Sequence, residues 1–89
     1  APASLPGARA GETVLLVEDE KLVRTMASEA LRDLGYTVVE AEDGANALAL
    51  LNEGERIDLL LTDIVMPHMT GVELADAVAA RRPDLPILL

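Results

Sequence analysis

Four acidic side chains stand where a parallel sheet would present a ligand. Glu18, Asp19 and Glu20 directly follow the run Thr13-Val14-Leu15-Leu16-Val17, and Asp63 directly follows Leu59-Leu60-Leu61-Thr62. In open α/β sheets, ligands bind outside the carboxyl ends of the strands. If the two runs are neighbouring strands, Glu18, Asp19 and Asp63 converge at one mouth of the sheet. Two carboxylates about 4 Å apart repel by roughly 4 kcal/mol at an effective dielectric of 20, and the one basic residue beside them in sequence is Lys21. A hard divalent cation removes that conflict, and Mg²⁺ typically takes one or two carboxylates together with waters and phosphate oxygens. One carboxylate is then left to attack a phosphoryl group. Asp63 is the candidate nucleophile, alone at a strand end before a loop. The competing reading is that Glu18 and Asp19 cap the helix that follows them, where acids favour the positive end of the dipole.

The elements that must position these acids are legible from hydrophobic spacing. Thr13 to Val17 is a continuous apolar run of the kind found in strands covered on both faces. Lys21 to Leu34 changes to helical spacing, with Val23, Ala27, Ala30, Leu31 and Leu34 predicted on the inward stripe and Gly35 closing the helix. Thr37 to Ala41 is a second strand, and Asp43-Gly44 opens a helix to about Glu53. Asp58 to Thr62 is a third strand. Thr70-Gly71-Val72-Glu73 has the capping-box pattern and opens a helix to about Arg82, which Pro83 stops. Pro86 to Leu89 begins a fourth strand. Strand and helix alternate with short connections, which implies right-handed crossovers and a doubly wound parallel sheet of the α/β class. Residues 1–11, rich in Ala, Pro and Gly, read as a linker or tail, and residues 12–89 as one domain. A last strand ending on apolar residues leaves an open edge, so either a further unit of roughly 30 residues follows or another chain covers it by edge pairing or dimerisation.

Composition narrows the partners. Sixteen acidic against seven basic side chains give the 89 residues a net charge of −9, and Tyr36 is the one aromatic. Nucleic-acid binding needs clustered Lys and Arg or stacking aromatics, so direct nucleic-acid contact is not expected. No apolar run approaches the ~20 residues of a membrane helix. With 51% apolar residues the chain is globular, and with no cysteine it fits the cytoplasm. Most other acids (Glu29, Asp33, Glu53, Glu55, Asp76) read as solvated surface, whereas Glu40 and Glu42, near the end of strand two, admit either a role at the site or a solvated one, the solvated one being favoured.

Val14-Leu15-Leu16-Val17-Glu18-Asp19-Glu20, then Leu60-Leu61-Thr62-Asp63-Ile64-Val65-Met66-Pro67, then Gly71, resembles the receiver domain of bacterial two-component response regulators. The resemblance runs from Thr13 to Leu89. It implies a flavodoxin-like fold with strand order 2-1-3-4-5, here truncated after strand four. That order comes with the family and not from periodicity. It also implies that Asp63 accepts a phosphoryl group from a phosphohistidine on a sensor histidine kinase or histidine phosphotransfer module. Glu18, Asp19, Asp63 and the backbone carbonyl of Val65 would hold Mg²⁺. Glu18 stands where the family often has Asp, which lengthens one ligand by a methylene. The stretch from Gly11 to Glu20, behind a Pro/Ala-rich segment, is also similar to receivers carried at the C-terminus of hybrid sensor histidine kinases. The family's switch Ser/Thr and its phosphoryl-pairing Lys both fall past Leu89, so the 89 residues by themselves are expected to phosphorylate poorly. Whether the chain has enzymatic activity of its own stays open on this reading.

Other residues admit two readings. Leu22 and Met26, one helical turn apart and off the predicted stripe, either form a docking patch for a kinase helix bundle or are partly buried. His68, in the loop close to the acids, reads either as a metal-binding or phosphoryl-carrying histidine or, in the favoured reading, as a lone exposed loop histidine. Thr62 is expected to point away from them, and Met66, Met69 and Leu74 to pack. Two other functions compete with phosphoryl acceptance. One is a receiver-like interaction domain without phosphate turnover. The other is a Mg²⁺-dependent phosphohydrolase, but such enzymes commonly carry a second Asp two residues after the nucleophile, and here that position is Val65.

Overall fold

A computed structural model describes residues 11–54, 56–63 and 68–89. The elements alternate as β1 (Thr13–Val17), α1 (Lys21–Asp33), β2 (Thr37–Ala41), α2 (Gly44–Asn52), β3 (Leu59–Thr62), α3 (Gly71–Arg81) and β4 (Ile87–Leu88). The four strands form one parallel sheet of order β2-β1-β3-β4. This is the architecture expected from the sequence, with β3 and β4 each starting one residue later than the apolar runs suggest. Because β2 lies on one side of β1 and β3 on the other, the strand order reverses between β1 and β3, the place where such sheets open a crevice.

Both faces of the sheet are covered, and the period-2 alternation of a strand divides its residues between two cores. Leu15, Val17, Ala41 and Leu60 join Ala47 of α2 and Leu74 and Val78 of α3 on one face. Val14, Leu16, Val38 and Leu59 join Leu31 of α1 and Tyr36 on the other. The continuous Val/Leu runs of β1 and β3 are the consequence of this two-sided burial. Asp58, which the sequence suggests as the first residue of β3, sets that strand's phase. Its carboxylate accepts from the Thr13 amide (2.8 Å), while its own amide donates to the Thr13 carbonyl (2.8 Å). A one-residue slip of β3 would turn every side chain to the opposite face.

The helix ends follow local chemistry. After α1, the Tyr36 amide donates to Leu31 O (3.1 Å) and the Gly35 amide to Arg32 O (2.9 Å), the Schellman pattern, with Gly35 at φ +98°. Leu34 is therefore the C-cap of α1, outside the helix proper. Asp43 caps α2 through the Asn46 amide at 2.8 Å. Thr70 and Glu73 form the anticipated capping box at the start of α3.

One expectation is corrected. The inward stripe of α1 is not Val23, Ala30 and Leu34, all of which are exposed; it runs through Ala27, Ser28 and Leu31, with Arg24 at its upper end. Hydrophobic spacing missed it because two inward positions are polar. Ser28 is 1% exposed and donates to Glu40 of β2 at 3.2 Å. Glu40, for which the sequence favours a solvated role over one at the site, is tied to α1 at three points: Ser28, Arg24 (3.6 Å) and Arg32 (3.4 Å).

Candidate acidic site at the sheet mouth

β1 and β3 pair with Val17 opposite Thr62, so the residue after each strand, Glu18 and Asp63, leaves the sheet at the same level. The Asp63 amide donates to Val17 O (3.1 Å), and the Glu18 amide donates to Ala41 O (3.1 Å), which carries the pairing one step past each strand. Carboxylate oxygens of Glu18, Asp19 and Asp63 all lie within 4.8 Å of one another. The structure thus brings together the three carboxylates singled out from the sequence. Val65 lies outside the described residues, as do Ile64, Met66, Pro67 and Glu55.

The environments of the three differ. Asp63 is exposed, whereas Glu18 is buried and its carboxylate accepts the Glu20 amide (2.9 Å). Burial pushes the Glu18 carboxyl above its ordinary value. The bond from the Glu20 amide opposes that shift, and the neighbouring Asp19 and Asp63 charges add to it. Among the described residues, the ion pairs go to Glu40 and Asp58, and none reaches this cluster. The helix-cap reading accounts for little of it: the N-cap of α1 is Glu20, with no side-chain capping bond.

Uncompensated like charge gives a measurable signature. Glu18→Gln keeps the acceptor for the Glu20 amide and removes one negative charge, so it is expected to stabilise the metal-free fold by about 1 kcal/mol, or roughly 4–8 °C in Tm. The sign of the pH dependence follows from the raised Glu18 pKa. The folded state holds its proton to higher pH than the unfolded chain, so stability falls as pH rises from the ordinary glutamate value through the folded one. Glu18→Gln should remove that fall, which thermal melts across pH 4–7 in metal-free buffer would reveal.

The remaining candidates sort by position. Leu22 and Met26 are 71% and 62% exposed, with Val23 beside them on α1, so partial burial does not explain them. His68 is exposed at φ +70°. Thr62 is buried and its hydroxyl donates to the Asp63 carbonyl (3.1 Å). Leu74 is fully buried, and Met69 packs so close to Gly44 that a Cβ there would stand 2.6 Å from the Met69 sulfur. An open cleft of about 500 Å³ lies along β2 between α1 and α2, lined by Arg24, Glu40, Glu42 and Asn46 among others; none of the three clustered acids lines it.

A parallel sheet with this strand order and an acid cluster at its switch point defines a class, and comparison with known proteins identifies it. The response regulator receiver domain family matches residues 14–89, and the chain belongs to that family. It is 44% identical to the chemotaxis protein CheY of Pseudomonas aeruginosa over 85% of this chain and 63% of that protein. It is 45% identical to the receiver protein CpdR of Brucella abortus, over 84% of this chain and 62% of that one. It is also 45% identical to the sensor kinase CckA of Brucella abortus, covering 82% of this chain but 8% of the kinase. The chain therefore spans less than two thirds of the curated relatives it matches. Among solved structures, the response regulator TrrA of Thermotoga maritima, in complex with Mg²⁺ and BeF, superposes with a TM-score of 0.83 at 35% identity, over 88% of this chain and 67% of that one. Vibrio cholerae CheY4 gives 0.80 at 40% identity, over 88% and 66%. The fold is the flavodoxin-like receiver fold.

Proposed function

We propose that this receiver is a phosphoryl-accepting module of a two-component relay, with Asp63 as the acceptor and Glu18, Asp19 and Asp63 as the carboxylates that hold Mg²⁺. The family pattern adds the backbone carbonyl of Val65. The observation that carries the reading is the meeting of three carboxylates from two strand ends within 4.8 Å, with no ion pair to them among the described residues. A hard cation accepts such an all-oxygen donor set. When bound, Mg²⁺ offsets the clustered negative charge and favours the approach of phosphoryl oxygens.

The chain's own residues supply the nucleophile and its alignment. An Asp63 carboxylate oxygen attacks the phosphorus of a phosphohistidine. The new O–P bond forms as the P–N bond breaks, and the electron pair returns to the imidazole nitrogen, which takes a proton from solvent. Asp63 is exposed and so open to a partner's side chain. Its backbone is tied to β1 through Val17, so the attacking group stands at a fixed height above the sheet. The donor is a sensor histidine kinase or a histidine phosphotransfer module, and the similarity to CckA supports a receiver carried in a larger sensor kinase. Residues 12–89 form the receiver body and residues 1–11 a linker. No helix among the described residues is long and apolar enough to cross a membrane, which agrees with a cytoplasmic relay.

A Mg²⁺ titration followed by amide chemical shifts tests the site directly. Saturable shifts at Asp19, Asp63 and Val65 are expected. A flat response at millimolar Mg²⁺ would leave a receiver fold that docks partners without phosphate chemistry.

Leu22, Val23 and Met26 offer the relay partner an exposed apolar strip on α1, the helix that begins directly after the acid cluster. Met26→Asp is expected to slow transfer from a phosphohistidine donor about tenfold or more, since a charge placed in an apolar contact is costly. Labelling by acetyl phosphate, which needs no docking, should not change. Equal slowing of both donors would remove α1 from the docking surface.

A further inference from the structure

Arg24 is the residue whose bonds the proposed chemistry does not use. Its guanidinium reaches from α1 back to the site, where Nη1 donates to the Glu18 backbone carbonyl at 2.8 Å. On its other side, Nε stands 3.6 Å from Glu40 Oε1 on β2, and Glu40 is itself held by buried Ser28 and by Arg32. The Arg24 side chain is 14% exposed. The Glu18-Asp19-Glu20 turn has few other restraints. The Glu18 amide is bound to Ala41 O and the Glu18 carboxylate to the Glu20 amide, and α1 begins without a side-chain cap.

We infer that Arg24, anchored by Glu40, is a positioning residue that holds the β1–α1 turn so that Glu18 and Asp19 face Asp63 at cation-binding separation. The inference rests on the metal reading above. Partners that orient metal ligands from behind typically change metal affinity by about 10–100-fold when removed, and a fixed fork of two donors suits a carbonyl on one side and a carboxylate on the other. Electrostatics alone predicts the reverse sign: a cation near the site repels Mg²⁺, so deleting it should tighten binding. Positioning and charge can therefore be told apart.

The experiment is Mg²⁺ titration of the whole chain, read by amide shifts, for the wild type, Arg24→Lys, Arg24→Met and Glu40→Gln. The amides of Leu60 and Leu74 report whether each variant keeps its core. Arg24→Lys preserves the charge but loses the fork, and it is expected to weaken Mg²⁺ about tenfold with those core amides unmoved. Glu40→Gln weakens the anchor while leaving Arg24 in place, and it should lower affinity in the same direction by less. Shifts of the Glu18 and Asp19 amides in metal-free Arg24→Lys, absent at Leu60, would support the displaced turn independently of metal. Wild-type affinity in Arg24→Lys, or tighter binding in Arg24→Met, would overturn the inference while leaving the metal site intact. No Mg²⁺ response in the wild type would overturn the metal reading and this inference with it.

Discussion

Asp63→Asn is expected to abolish whatever phosphoryl labelling the wild-type chain shows, whether the donor is a phosphohistidine protein or acetyl phosphate. The amide is isosteric but carries no anionic oxygen, so the O–P bond cannot form at that position. The fold should survive the change and gain stability. Asp63 is exposed and belongs to a cluster with no ion pair among the described residues. Removing its charge relieves repulsion of about 1 kcal/mol once solvent screening is allowed for. Intact mass after incubation with donor and Mg²⁺ reads the first effect, and a thermal melt in metal-free buffer reads the second. A variant that loses labelling and melts higher has lost a nucleophile and not its fold. Persistent labelling of Asp63→Asn would move the acceptor to another side chain.

The second large effect concerns the scaffold that brings the acids together. Leu15 is fully buried in the central strand β1, within the core shared with α2 and α3. Leu15→Ala is expected to cost about 3–4 kcal/mol through lost burial and the cavity left behind. A domain of this length holds only about 4–13 kcal/mol in all, so urea denaturation should show the midpoint falling by roughly a quarter or more. Leu22→Ala, on the exposed face of α1, should stay within about 0.5 kcal/mol of the wild type. A loss under 1 kcal/mol for Leu15→Ala would contradict the two-sided burial of β1.

Much of this was legible in the one-dimensional pattern because the relevant physics is local. The apolar runs of β1 and β3, the Thr70-Glu73 capping box and Gly35 after α1 each depend on a few neighbouring residues, and each stands where its spacing implies. The acids at 18, 19 and 63 were identifiable because each follows a strand directly. Their meeting needed one further fact, the adjacency of β1 and β3, which came from family resemblance and which the pairing of Val17 with Thr62 shows.

What the chain order alone could not show is the polar seam between α1 and β2. Ser28, Arg24 and Glu40 each look like surface residues, and the exposed Val23, Ala30 and Leu34 look like the core. Ser28 and Arg24 turn inward beside Ala27 and Leu31 because Glu40, twelve residues beyond Ser28, offers a carboxylate that a serine and two arginines can satisfy together. A buried polar residue costs free energy until its partner is in place, and a partner on another element is invisible to hydrophobic periodicity. Local spacing thus determined which elements form and which acids end the strands, whereas tertiary packing decided which face of α1 turns inward and which arginine braces the turn beneath Glu18.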